Sequence, residues 1–191
     1  MEFNVHRNLE GLHAPFSPSQ SSWLRYDDER AMEVYANKKA SEMGTILHAW
    51  AKTTIDLGIK QPKSKKTIYA YVNDAIGYKM STEVVLYYSD RFFGTADAIS
   101  FRVDHKTGRD TLRIHDLKTG VVPAHIEQLM IYAALFCLEY KIKPGEIDIE
   151  LRIYQSDEIL YYNPTAEEIL PIMDKIMTFD KVIEKIRQEE V

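Results

Sequence analysis

Asp97, Asp116 and Lys118 are the residues whose type and spacing offer chemistry, because each falls on the side of a strand that its apolar neighbours mark as core. Side chains repeat with period two along a strand. In the segment Phe92 to Val103, Asp97 is in register with Phe93, Ile99, Phe101 and Val103. In the segment Thr111 to Leu117, Asp116 is in register with Leu112 and Ile114, and Lys118 follows on the same side. An isolated buried carboxylate costs several kcal/mol unless it is paired, protonated or bound to a metal. Two acids beside one lysine therefore call for a compensating cation. The plainer alternative is a buried Asp–Lys ion pair with the second acid at a solvated sheet edge.

Pairing arithmetic brings these charges together. If Asp104 to Asp110 makes the turn, matching the apolar sides sets 99 against 114 and 101 against 112, which places Asp97 across from Asp116. Directly opposed Cβ atoms lie about 4.5–5.5 Å apart, a separation that one divalent cation can bridge. Lys118 emerges about 7 Å further along the same side. Carboxylate oxygens are the hard donors that Mg²⁺ and Mn²⁺ prefer.

Weaker candidates surround this core. His48 lies on an apolar helix one turn after Gly44, where a hydrogen-bonded core histidine is the ordinary reading. Glu83 stands early in a strand and reads as either a solvated edge acid or a further metal-binding group. Gln128 and Tyr132 are four apart, so they share one side of a helix otherwise too apolar to leave polar groups unpartnered.

The order of these motifs resembles the RecB-like branch of the PD-(D/E)XK nuclease superfamily. The resemblance rests on Gly94-Thr95-Ala96-Asp97, then Asp116-Leu117-Lys118, then Gln128-Leu129-Met130-Ile131-Tyr132. Upstream, Gly44-Thr45-Ile46-Leu47-His48 fits the family's histidine-bearing helix, and Ser17-Pro18-Ser19 with Trp23 is similar to the way many such domains begin. It covers about residues 17 to 155. It implies a restriction-endonuclease-like α/β core, with a central mixed sheet flanked by helices on both sides. It also implies Mg²⁺ or Mn²⁺, as one or two ions, held by His48, Asp97, Asp116 and the backbone carbonyl of Leu117. In the catalytic set Asp97, Asp116 and Lys118, the lysine orients the attacking water and offsets charge. By the same resemblance Gln128 and Tyr132 position Lys118 or contact the DNA backbone, and Glu83 helps with a second ion. The activity implied is a metal-dependent deoxyribonuclease, an exonuclease acting on DNA ends in recombination, repair or replication. The alternatives are a structure- or site-specific endonuclease with the same site, and a non-cleaving accessory protein that binds DNA or a partner. The partners implied are DNA and a single-strand-binding or annealing protein.

Periodicity and breakers set out the elements that must position these residues. Residues 1–16 read as an arm. Helices are expected over Ser19 to Asn37, Ala40 to Leu57 ending at Gly58, and Lys65 to Gly77 after Pro62. Strands follow over Thr82 to Tyr88, Phe92 to Val103 and Thr111 to Leu117. A buried helix then spans Ala124 to Tyr140, and a fourth strand Ile147 to Tyr154. An amphipathic helix capped by Thr165 closes the chain over residues 165–191. The order ααα-βββ-α-β-α gives an α/β sandwich.

Composition bounds the rest. With 191 residues and 45% hydrophobic content, one domain spanning 1–191 is expected. No apolar run reaches a membrane span and no signal peptide is visible, so the expectation is no membrane and a cytoplasmic protein, of a bacterial host if phage-encoded. The single cysteine, Cys137, cannot supply the four ligands of an iron–sulfur cluster, so the chain resembles the cluster-free standalone nucleases, of which phage recombination exonucleases are one kind. Net charge is −5, but it is unevenly spread. Lys60, Lys63, Lys65, Lys66 and Lys79 face only Asp74 over that stretch, while the last helix is acidic. Lys63, Lys65 and Lys66, interleaved with Tyr69, Tyr71 and Tyr78, form a candidate DNA patch, or a solvated loop.

Overall fold

The structure is a computed structural model that describes Arg7 and residues 14–189. Most of the expected N-terminal arm lies outside the described residues. The chain divides into two compact units, Met1–Ile46 and Leu47–Val191. The first holds a short 3₁₀ turn, Ser21–Arg25, and the start of helix α1, Asp28–Asp56. Here the expectation of two helices is corrected: α1 runs unbroken through residues 38–41, where no glycine or proline stops it. Asp27 caps it by accepting the N–H of Arg30 at 2.8 Å. At its other end Gly58, with φ of +66°, turns the chain out in the left-handed conformation that glycine adopts freely.

The second unit is α/β. Helix α2 (Thr67–Gly77) leads into β1 (Ser81–Ser89), β2 (Phe92–Val103) and β3 (Asp110–Lys118). Helix α3 (Glu127–Tyr140) crosses to β4 (Asp148–Gln155), and β5 (Glu158–Tyr162) precedes α4 (Ala166–Glu189). The five strands form one mixed sheet in the order β1-β2-β3-β4-β5, antiparallel except for the parallel pair β3–β4. A helical crossover is what a parallel pair requires. Strand β5 was not expected. Ser156 and Asp157, both at positive φ, make a two-residue turn that folds it back on β4.

Helices cover both sides of this sheet. On one, Leu129, Ala133 and Phe136 of α3 and Ile169 and Ile176 of α4 pack on Leu86, Ile99, Leu112, Ile114 and Ile149. On the other, Ala51 and Ile55 of α1 and Tyr71, Val72 and Ala75 of α2 pack on Ala98, Leu117 and Tyr154. The apolar positions of α2 at 68, 71, 72 and 75 are the spacing of one helix face. Thr165 and Glu168 hold the start of α4, Glu168 accepting the Thr165 backbone N–H at 2.8 Å and its hydroxyl at 3.1 Å.

The β2–β3 register is the expected one, Ile99 against Ile114 and Phe101 against Leu112. The facing of Asp97 is not. Gly94 and Ala96 look toward α3, and so do Ile99 and Phe101, three residues further on. The alternation therefore slips by one residue between them. The same slip occurs in β1, where Val84 and Leu86 face α3 while Thr82 bonds Asp56 of α1 at 2.6 Å. Glu83 and Asp97, facing each other at the slip, are skipped in the β1–β2 pairing, and Glu83 takes a φ of +50°.

Gly94 is where α3 comes closest to β2. A Cβ there would lie 2.8 Å from Tyr132 Cε1, and the ring cannot easily yield because its hydroxyl donates to the Thr95 carbonyl at 2.8 Å. Gly94→Ala is expected to destabilise the protein by about 1–3 kcal/mol. In a Tyr132→Ala background the same change should cost little, so a double-mutant cycle in urea should return a coupling of similar size. Additive effects would show that the ring and the glycine are not in conflict.

Candidate active site

The functional candidates meet where β2 and β3 part at one end of the sheet. The backbone ladder between those strands closes at Ala98–His115, and the next amide, Leu117 N–H, donates instead to Asp97 Oδ2 at 3.1 Å. Because of the slip, the Asp97 carboxylate also turns toward α1, where His48 Nδ1 lies 3.5 Å from the same oxygen. Thus Asp97 takes its place near Asp116, as the register requires, but through a backbone amide and a histidine.

Asp116 is the buried member, its side chain 5% exposed. Lys118, two residues on and on the same side, donates to Asp116 Oδ1 at 3.2 Å and sits 3.0 Å from Oδ2. The second contact lies off the hydrogen-bond direction, so Oδ2 is buried with charge beside it and no directed partner. Burial, and then the neighbouring Asp97 charge, push the Asp116 carboxyl up to about 6, against the opposing pull of Lys118 and His48. A site that holds a carboxylate so reluctantly is short of positive charge.

Helix α3 fixes the lysine. Gln128 Oε1 accepts from Lys118 Nζ at 2.9 Å, and Gln128 Nε2 reaches Tyr132 Oη at 3.4 Å. Tyr132 then closes the path to Thr95 of β2. The four-residue spacing is what lets both side chains face one strand pair.

Two further residues belong here that the sequence reading did not assign to the site. Tyr71 is buried with its ring edge on Tyr154, centroids 5.4 Å apart. Its phenol is raised far above the ordinary range by burial and then by the charges of Asp97, Asp116 and Glu83. Lys52 bonds Asp56 at 2.6 Å, and the Glu83 charge also acts on it. The Lys52–Asp56 pair carried a readable i,i+4 signal. Tyr71 carried one too, in the helix face it shares with Ile68, Val72 and Ala75.

The expected aromatic-basic patch is corrected. Lys63, Lys65 and Lys66 are exposed, and Lys66 Nζ lies 5.7 Å from the Tyr69 ring, which in turn packs 6.1 Å from Trp50. Tyr71, by contrast, is core, and the half-buried Tyr78 ring is packed against the guanidinium groups of Arg113 and Arg152, 4.4 and 5.0 Å away. Tyr71 cannot stack on a nucleic acid base, and the Tyr78 ring is already engaged by the two arginines.

A second polar system lies on the opposite side of β3. His115, fully buried, meets Tyr154 Oη at 3.2 Å, and Asp74 of α2 accepts from Tyr154 at 2.7 Å and from Arg152 at 2.9 Å. Glu150 stands 2.7 Å from Arg152, held by charge more than by a directed hydrogen bond. Burial would raise the Glu150 carboxyl, but His115 and the two arginines keep it below its usual range. This network ties α2 to the strands that carry the site.

The donor chemistry of His48, Asp97 and Asp116 suits a hard divalent cation, and the undirected oxygen of buried Asp116 is the observation that fits one. As arranged, no three His, Cys, Asp or Glu side chains among the described residues form a ready metal cage; Lys118 occupies Asp116 and the Leu117 amide occupies Asp97.

No family model matches the chain, and no curated protein matches it. Among solved structures the chain is similar to the crystal structure of SSO0001, with 14% identity and a TM-score of 0.36 over 82% of this chain and 68% of that one. Among the described residues no helix is long and apolar enough to cross a membrane.

A raised carboxyl destabilises the fold once ionised. Its contribution is favourable below the unfolded value near 3.8 and is lost as pH rises through about 6. With a chelator present, Asp116→Asn is therefore expected to be more stable than the parent at pH 7.5, by about 3 kcal/mol. The difference should vanish below pH 4. Urea midpoints across that range check it, and a pH-independent difference would contradict it.

Proposed function

We propose that this chain is a metal-dependent deoxyribonuclease of the RecB-like PD-(D/E)XK kind, with a restriction-endonuclease-like core. On this reading it hydrolyses phosphodiester bonds at DNA ends, as an exonuclease serving recombination, repair or replication. The single observation that carries the reading is the buried Asp116 carboxylate, with one oxygen undirected, flanked by Asp97 and by a lysine pinned from α3. A purely structural ion pair would not need a second acid beside it, nor a Gln128–Tyr132 brace to hold the lysine.

His48, Asp97 and Asp116, with the Leu117 carbonyl, would hold Mg²⁺ or Mn²⁺. Such an ion, when bound, polarises a phosphoryl oxygen and lowers the pKa of a coordinated water. The chain supplies the rest. The Lys118 ammonium, fixed by Gln128, offsets the negative charge that grows on the phosphate and orients the attacking water. Asp97 is held by the Leu117 amide and faced by His48, both through Oδ2, which leaves Oδ1 as the oxygen it could offer a cation. Glu83 adds negative charge at the mouth, and the exposed Lys63, Lys65 and Lys66 offer the phosphate-binding surface that an acidic protein needs locally.

Asp116→Ala and Lys118→Ala should each lower cleavage of linear DNA in Mg²⁺ or Mn²⁺ by at least about 10²–10³-fold with an unchanged circular dichroism spectrum. Calorimetric titration with Mn²⁺ should show binding lost in Asp116→Ala and kept in Lys118→Ala. Purified protein that cuts neither single-stranded, duplex nor nicked DNA with either ion would sink the enzymatic reading. Equal cutting of circular and linear substrates would replace the exonuclease by an endonuclease.

A further inference from the structure

Beside the candidate site lies a cavity of about 340 Å³ that the proposed hydrolysis does not use. Its walls are Val121, Pro123, Ala124, Ile153, Ile159 and Leu160. Its rim carries Gln155, Ser156 and Glu158, and none of the lining residues is a lysine, arginine or histidine.

The sheet register places this cavity next to the acids. Asp116 pairs with Ile153, which pairs with Leu160, and Lys118 pairs with Gln155, which pairs with Glu158. Neighbouring strands lie about 4.8 Å apart, so the Leu160 backbone is about 10 Å from that of Asp116, in the same cross-strand row.

The loop that forms the outer wall is ordered from inside. Gln155 Nε2 donates to the carbonyls of Gly120 at 2.6 Å and Val122 at 2.7 Å, while its Oε1 accepts from Ala124 N–H at 3.0 Å. Both donors and the carbonyl oxygen of that amide serve the loop, and the loop in turn holds Val121 90% exposed and Val122 78% exposed. Val121, three residues past the lysine, is thereby kept at the cavity wall.

We propose that this cavity is a nucleobase subsite, taking one unpaired base of the strand whose phosphate lies at Asp116 and Lys118. The proposal rests on the nuclease reading for the position of the phosphate. Charge selects the base over the backbone: the walls are apolar, and Glu158 at the rim repels phosphate but can accept from an exocyclic amino group. The volume falls within the roughly 300–1,000 Å³ of small-molecule sites, and aliphatic walls with a polar rim fit the faces and edge of a base. A base paired and stacked in a duplex cannot enter, so the subsite favours single strands or frayed ends.

Fluorescence anisotropy with the whole chain, Ca²⁺ replacing Mg²⁺, tests this with two labelled twelve-nucleotide strands, one natural and one without bases. The natural strand should bind about 10-fold more tightly. Leu160→Asn and Val121→Ser should each reduce that ratio to about 2-fold or less while leaving binding of the base-free strand and the circular dichroism spectrum unchanged. Both alter exposed side chains, so folding is not at stake. Equal binding of the two strands, or a ratio untouched by the variants, overturns the subsite. Cleavage in Mg²⁺ separates the two ideas. A strand that is cut without base dependence sinks the subsite alone, whereas one bound with base dependence but never cut sinks the hydrolytic reading alone. A strand neither bound nor cut overturns both.

Discussion

The interaction on which the site depends is the pairing of Asp116 with Lys118 inside the sheet. A carboxylate this buried is costly to keep, and removing only its partner would leave an uncompensated charge. The lysine can serve because it lies two residues on, on the same side of the same strand. Left alone, a flexible four-carbon stem would swing to water, so α3 must cross exactly above this strand end and present Gln128. Gly94 lets that helix come close, and Tyr132 fixes its distance from β2.

Strand β3 carries a second polar system on its other side, and period two keeps the two apart. Arg113 and His115 face α2, Asp116 and Lys118 face α3, and every one of them except Lys118 is buried. The network of His115, Glu150, Arg152 and Asp74 is costly to desolvate, so its presence is better understood as geometric than as stabilising. It locks α2 against β3 and β4, and α2 brings Tyr71 up to the acids from behind. A wholly apolar interface would allow small sliding of the helix; directional bonds from Asp74 to two strand residues do not.

How much of this was legible depended on whether the signal was local. The β2–β3 register could be read because one choice of partners matched both apolar faces, and a slip of one residue would have exposed Ile99 and Ile114. The sides of Asp116 and Lys118 followed from the same count. The facing of Asp97 did not, because its parity with Ile99 and Phe101 is real in the sequence and broken only by the irregularity that Asp97 shares with Glu83. A positive φ at a glutamate has no sequence signature. Strand β5 was missed because Ser156-Asp157 lacks the glycine that usually marks such a turn. The core position of Tyr71 is legible in the 68, 71, 72, 75 spacing, which outweighs the lysines that precede the helix. Tyr78 was harder, since its partners Arg113 and Arg152 come from strands far along the chain.

On the nuclease reading, the acidic balance of the site has a consequence for binding order. Asp97, Asp116 and Glu83 together repel a phosphate, and Lys118 offsets only part of that charge. A phosphodiester therefore approaches favourably only when a cation shares the site, and the cation in turn gains a ligand when the phosphate arrives. Their affinities must be coupled by the same factor in both directions. The raised carboxyl of Asp116 adds a third participant, because a proton there competes with the cation for the same charge deficit. Cation, proton and phosphate are thus linked through one buried carboxylate, and the exposed lysines before α2 lie outside that linkage, contributing attraction that falls with salt.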